Sequence, residues 1–237
     1  MTDIQKIYRR SLLGMAWIGV SFAMFVGIKI LIFGSFVSVE SDYFGIWLGV
    51  GFWVWLLVLS LVVDGCNVFV NARPWIMGTN LPFSVYAFQI VARSFMRFLF
   101  TVPIIIFIMI YYKWMPNWGW LWALPGIVVI MLNGLWVQFF LGTICARFRD
   151  VSHLMQSIMQ VMFFITPILY VPKMLGPRAA LLNWNPFTHF VGVVRDPIMT
   201  GEVPILAWQV VGTITIVGWI AAFIVYQKQG RHIPFRV

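Results

Sequence analysis

A chain of 237 residues that is 62% hydrophobic and only 10% charged, with a mean hydropathy of +0.92, cannot cover a soluble core with polar surface. It reads as an integral membrane protein. Its net charge of +9 does not point to nucleic acid, because the cations cluster at the ends of apolar segments rather than in one tract, as membrane orientation requires.

Residues 3–14, DIQKIYRRSLLG, place Ile4, Ile7, Tyr8, Ser11 and Leu12 on one helical face and Lys6, Arg9 and Arg10 mostly elsewhere. That is the pattern of an amphipathic helix lying in the membrane interface. A solvated basic lead-in is the alternative.

A helical crossing takes roughly 20 apolar residues, and six such spans are predicted near 15–37, 44–63, 83–110, 118–141, 154–171 and 205–226. Polar breaks separate them at SVESDYF, DGCNVFVNARPWIMGTN, YYKWMPNW and CARFRDVSH. The first apolar run is too long for a signal core and no small-residue cleavage site follows it, so this segment is expected to stay in the membrane.

A cytoplasmic N-terminus puts Lys6, Arg9, Arg10, Arg73, Arg147, Arg149, Lys228, Arg231 and Arg236 inside, against Lys113, Lys173, Arg178 and Arg195 outside. This asymmetry favours that orientation, with both termini cytoplasmic. In the fourth break, Arg147 and Arg149 then mark a cytoplasmic turn, and Asp150 is expected to cap the fifth span. Tyr43, Trp47, Tyr111, Tyr112, Trp114, Trp118, Trp120 and Trp122 gather at the predicted outer ends, where amphipathic rings prefer the headgroup layer.

The connection 172–204 is long and mixes Asn183, Asn185, Pro186, Arg195, Asp196 and Pro197 with Phe187, Phe190, Val191, Val193 and Val194. A solvated loop does not need those apolar residues, and a full span needs more of them. Short re-entrant helices over about 174–200, shielded from lipid by protein, accommodate both facts. A loop folded on the outer surface is the alternative.

Three cations fall inside spans: Lys29 in the first, and Arg93 and Arg97 four residues apart on one face of the third. Each costs on the order of 2.5–3.5 kcal/mol at bilayer depth on insertion scales. Of the seven acidic residues, Asp64 alone is placed near the third span, so internal pairing does not neutralise all three. Two readings stand nearly level. Either Arg93 and Arg97, with Lys29, attract a phosphate or pyrophosphate group, or the arginines snorkel to the interface or pair with Asp64.

No phosphate-binding loop of the G-x-x-x-x-G-K-[ST] type occurs, so an ATP-driven role needs a second subunit. No cofactor and no metal site are expected in this chain. His153, His189 and His232 lack metal-site spacing, and Cys66 and Cys145 are read as free packing residues without a cysteine partner nearby. No constellation of catalytic groups is recognisable, so an enzyme acting on a lipid-linked sugar is disfavoured.

The stretch LGTICARFRDVSHLMQSIMQVMFFITPILY, followed by NWNPFTHFVGVVRDPIMTGEVP, resembles the signature region of the polysaccharide-export branch of ABC-2 type transporter permeases. These are the transmembrane subunits of O-antigen, teichoic acid and capsule exporters. IYRRSLLGMAW at 7–17 and LPFSVYAFQIVARSFMRF at 81–98 extend the likeness over the whole chain in order. The resemblance implies an all-α homodimer of six-span subunits in the bacterial inner membrane, with the interfacial helix (Tyr8, Arg9, Arg10) and paired gate helices (Asn185, Pro186, Phe187, Arg195, Asp196). It also implies two copies of a separate cytoplasmic ATPase, carrying ATP and Mg, docked on the segment 72–80 with Arg73, Pro74, Trp75, Ile76 and Met77. Here RPWIMGT replaces lysines frequent in the family, which alters the details of docking.

The expected cargo is a lipid-linked polysaccharide, preferentially O-antigen on a polyprenyl pyrophosphate. Lys29, Arg93 and Arg97 are the candidates for its pyrophosphate. Phe139, Phe140, Phe163, Phe164 and Tyr170 are the candidates for rings on which sugars slide. A self-contained flippase or secondary transporter is the alternative, weakened because only Asp64 approaches a span.

Overall fold

The computed structural model describes residues 16–33, 41–78 and 81–229. The interfacial helix expected over 3–14, with Tyr8, Arg9 and Arg10, lies outside them, as do Thr79 and Asn80 of the expected coupling segment. All secondary structure among the described residues is helical: α1 Ala16–Phe33, α2 Ser41–Cys66, α3 Val68–Asn71, α4 Arg73–Gly78, α5 Phe83–Tyr111, α6 Trp120–Arg147, α7 Asp150–Ile165, a 3-10 stretch Pro172–Trp184, α8 Pro186–Thr200 and α9 Ile205–Gln229. Four of these are long and apolar enough to cross a membrane, over Tyr43–Cys66, Phe83–Tyr111, Trp120–Arg147 and Ile205–Lys228. Within α1, Trp17–Ile32 forms a shorter apolar helix.

α2 is apolar on every side and becomes the axis of the bundle. Phe44, Ile46, Leu48, Val54 and Trp55 are all buried in it, and α1, α5, α6, α7 and α8 pack around it. α6 reaches its neighbours through glycines. A Cβ on Gly126 would stand 2.7 Å from the Val193 carbonyl oxygen of α8, and one on Gly134 would stand 2.6 Å from Leu61 of α2. Missing side chains let helix backbones approach closely where lipid supplies no hydrophobic drive.

The fifth predicted span is corrected. Its helix runs Asp150–Ile165 rather than 154–171, because Thr166 precedes Pro167 and takes an extended ψ of 134°. Proline disfavours the helical conformation of the residue before it. Asp150 is corrected too: it is the first helical residue, Arg149 holds the cap position, and no side-chain hydrogen bond caps the helix. The Asp150 carboxylate still faces the positive end of the helix dipole. Arg147, Phe148, Arg149 and Asp150 are all exposed, so the turn does leave the packed bundle.

Cys66 and Cys145 are corrected in a third respect. Both are buried free thiols, as expected, but the end of α2 packs against the end of α6 and brings them near one another.

In the connection after α7, Gly176 (φ 54°, ψ −130°) breaks the 3-10 stretch into two pieces. Asn185 then starts α8: its side chain accepts from the Phe187 N–H at 3.0 Å, and Pro186 takes the first helical position. Asparagine at the cap and proline just inside it suit a helix start, the first by satisfying an orphan N–H and the second by having none to satisfy. Gly201, left-handed at φ 79°, closes the helix. Residues 189–195 and 197–199 of α8 are all buried, so this segment is not a loop on the outer surface.

Candidate functional site

Between α1, α2, α5 and α7 lies a groove of about 740 Å³. Its wall is aromatic because the four helices turn rings toward one another. Phe25 stacks on Phe52 at 4.2 Å, Phe52 and Trp55 meet Phe163 edge-on or tilted at 5.8 and 5.7 Å, and Phe164 adjoins Phe163 at 5.5 Å. Trp53 stacks on Phe98 at 4.0 Å and donates its indole N–H to the Phe98 carbonyl. Rings held by other rings keep their orientation, and offset or edge contacts between them add about 0.5–1.5 kcal/mol each beyond burial.

The charged groups of the groove come from three helices. Lys29 of α1, Asp64 of α2 and Arg97 of α5 all line it, as do Ser94 and Thr101. Arg97 donates through one terminal nitrogen to the Asp64 carboxylate, forming an ion pair, and to Ser94 Oγ at 3.2 Å. The Arg97 Nε is buried with no hydrogen-bond partner among the described residues. Lys29 Nζ lies 5.4 Å from the Phe25 ring centroid, within cation–π range. Gln156 and Gln160, one turn apart on α7, bring exposed amides to the same groove. Sequence reading passed over both, since isolated glutamines in an apolar helix reveal nothing about the face they occupy; only their four-residue spacing hinted at a shared side.

The sequence candidates therefore divide. Lys29 and Arg97 are brought together, and Arg93 is not among the lining residues. Of the five aromatic candidates, Phe163 and Phe164 line the groove. Phe139 packs edge-on against Tyr226 at 5.3 Å, Phe140 borders a separate apolar cavity of about 400 Å³, and the Tyr170 hydroxyl donates to the Ile165 carbonyl at 2.6 Å. The Asp64 pairing weighed from the sequence holds for Arg97.

The gate-region candidates form a cluster of their own. Arg195 is 2% exposed. Its guanidinium lies 3.5 Å from the Trp47 ring centroid, and it donates to the Pro167 carbonyl at 2.6 Å and to Asp196 at 3.2 Å. Asn185, besides capping α8, donates to Thr166 Oγ1 at 2.9 Å, and Phe187 meets Trp55 at 5.6 Å. In the segment expected to meet an ATPase, α4 is exposed apart from Ile76, with Trp75 63% and Met77 68% exposed and Arg73 and Pro74 beside them.

Comparison with known proteins gives the same direction. No family model matches the chain. Two O-antigen export system permease proteins RfbA of Klebsiella pneumoniae are 27% and 26% identical to it over 203 and 226 residues, covering 84% and 94% of this chain and 78% and 85% of theirs. An O-antigen export system permease protein RfbA of Myxococcus xanthus is 22% identical over 230 residues, 94% of this chain and 87% of its own. The chain is thus similar, over most of its length, to permease proteins of O-antigen export systems.

Proposed function

We propose that this chain is the membrane-spanning permease subunit of an ABC exporter that carries a lipid-linked polysaccharide, O-antigen on a polyprenyl pyrophosphate, across the bacterial inner membrane. The observation that carries the reading is the groove between α1, α2, α5 and α7, where two cations and a carboxylate stand among aromatic rings. A pyrophosphate finds a guanidinium and an ammonium there, and the C–H faces of sugars find rings. The names of the relatives support the cargo class.

In this reading α1, α2, α5, α6, α7 and α9 are the six crossings, and the 3-10 stretch with α8 is the re-entrant gate. α7 has 16 residues, about 24 Å of helix at 1.5 Å per residue, and the non-helical Thr166–Tyr170 segment completes its passage. Two copies of the chain enclose the path, and two copies of a cytoplasmic ATPase dock on α4, with both termini on that side. The chain binds no ATP itself, so the ATP and Mg belong to the partner.

The test is purification of the chain from its host in mild detergent, with identification of co-purifying subunits and an ATPase assay. A stoichiometric partner carrying a phosphate-binding loop is expected. Purification alone, with lipid-linked sugar still moved in the absence of ATP, overturns the reading and favours a self-contained flippase.

A further inference from the structure

We infer that Asp64 is an internal stand-in for the cargo's anion: it holds Arg97 while the groove is empty, and a diphosphate displaces it. This rests on the reading of the groove as the site of a lipid-linked diphosphate.

The geometry of the pair carries the inference. The contact is made by one Arg97 nitrogen to one Asp64 oxygen, although a guanidinium and a carboxylate can pair through two parallel bonds. The other donor of the same edge is left over, since Nε is buried without a partner. A buried N–H left unsatisfied is destabilising, and a phosphate oxygen is a group that would satisfy it. The pair is also reachable, with side-chain exposures of 37% for Arg97 and 33% for Asp64.

Charge arithmetic points the same way. Among the described residues lining the groove, Lys29 and Arg97 are the cations and Asp64 the one carboxylate. These three side chains together carry one net positive charge, a modest attraction for a diphosphate. Displacing Asp64 exposes both cations to the ligand, and the freed carboxylate then stands close enough to repel it. Asp64 thus limits affinity and favours release, as export requires: a cargo bound too tightly does not leave. A purely structural pair would be expected to satisfy the whole guanidinium edge, as Arg195 does more nearly with Pro167, Asp196 and Trp47.

The test is equilibrium binding of radiolabelled farnesyl diphosphate to the full chain in nanodiscs of neutral lipid. Asp64→Asn is expected to bind about fivefold tighter than wild type, the fold-change of an ion pair worth about 1 kcal/mol. Arg97→Gln is expected to bind more weakly, and the double variant no more tightly than Arg97→Gln. Inorganic pyrophosphate competes and farnesol does not. A second measurement needs no variant: carbodiimide-driven amine labelling of wild-type Asp64, read by peptide mass, rises when farnesyl diphosphate saturates the site.

If Arg97→Gln weakens binding but Asp64→Asn leaves it unchanged or weaker, and Asp64 labelling stays constant, Asp64 merely props Arg97 and the inference falls alone. Equal competition by farnesol also overturns it. If wild type binds no diphosphate at all, the reading of the groove falls, and this inference with it.

Discussion

The Arg195 guanidinium lies 3.5 Å from the Trp47 ring centroid and donates to the Pro167 carbonyl, while the Trp47 indole N–H donates to the Tyr170 carbonyl at 3.2 Å. One cation on α8 and one ring at the start of α2 therefore grip both ends of the segment 167–170, which has no helical bonds of its own. Arg195→Gln loses a desolvated cation–π contact worth about 2 kcal/mol and a charge-assisted hydrogen bond. Arg195→Lys is expected to recover little, because a point charge cannot stack flat on the ring and bond sideways at once. A thiol-reactive dye reports unfolding here, since Cys66 and Cys145 are buried. Melting temperatures of both variants well below wild type are expected, with faster proteolysis across 167–185, and an unchanged melt for Arg195→Gln would show the grip to be idle.

Asn185 has two duties, accepting from the Phe187 N–H and donating to Thr166 Oγ1. Asn185→Ala is expected to cost about 1–2 kcal/mol, combining a lost cap with a lost buried bond. Thr166→Val removes the second duty and leaves the cap, losing also the hydroxyl's own bond to the Met162 carbonyl at 2.7 Å, so the two substitutions should be less than additive by the shared Asn185–Thr166 bond. Strict additivity in dye-reported melts would mean that the Thr166 bond contributes nothing.

How much of this was readable in the chain depends on the range of the interaction. The apolar runs of α2, α5, α6 and α9 are local and appear where hydropathy puts them. The Asn185–Pro186 start of α8 is equally local. The stop at Thr166 was just as local, yet the apolar ITPILY run masked the effect of Pro167 on the residue before it. Pairings set by helix rotation were harder. Asp64 was a candidate partner for Arg97 because few acids exist, not because any pattern joined them. The contact of Cys66 with Cys145, the burial of Arg195 and the separation of Phe163 from Phe139 all depend on which face each helix turns inward. α2 and α6 are apolar nearly all round, so their sequences carry no such stripe.

The glycines of α6 differ in what they face. Gly126 abuts backbone, the Val193 carbonyl, which cannot rotate away, whereas Gly134 abuts the end of the Leu61 side chain, which can. Gly126→Ala should therefore push α6 from α8 and lower the melting temperature more than Gly134→Ala does. The reverse order would mean that α8 shifts more easily than Leu61.

Arg93 and Arg97 share a helix face in the sequence, yet only Arg97 lines the groove. Export of cargo in the host, measured at matched protein levels, should fall at least tenfold for Arg97→Gln, the effect of about 1.4 kcal/mol, and change little for Arg93→Gln. Normal export in both variants would sink the role of the groove cations in recognising phosphate.

The exposed α4 offers the sharpest separation of folding from function. Trp75 and Met77 are mostly exposed, so truncating them should remove little buried surface from the bundle. Large apolar side chains left outward, with Arg73 at their edge, have the composition of an interface centre, in which tryptophan is enriched and truncating an anchor costs about 2 kcal/mol or more. Trp75→Ala is thus expected to melt like wild type while weakening capture of the ATPase by about thirtyfold or more, with Met77→Ala milder because a flexible thioether adapts to lost contacts. Arg73→Ala should act through association rate and salt dependence, as charges at a rim do. Should Trp75→Ala retain the ATPase at wild-type stoichiometry after extended washing, α4 would not be the docking element, and the exposed turn at Arg147, Phe148 and Arg149 would become the next surface to truncate.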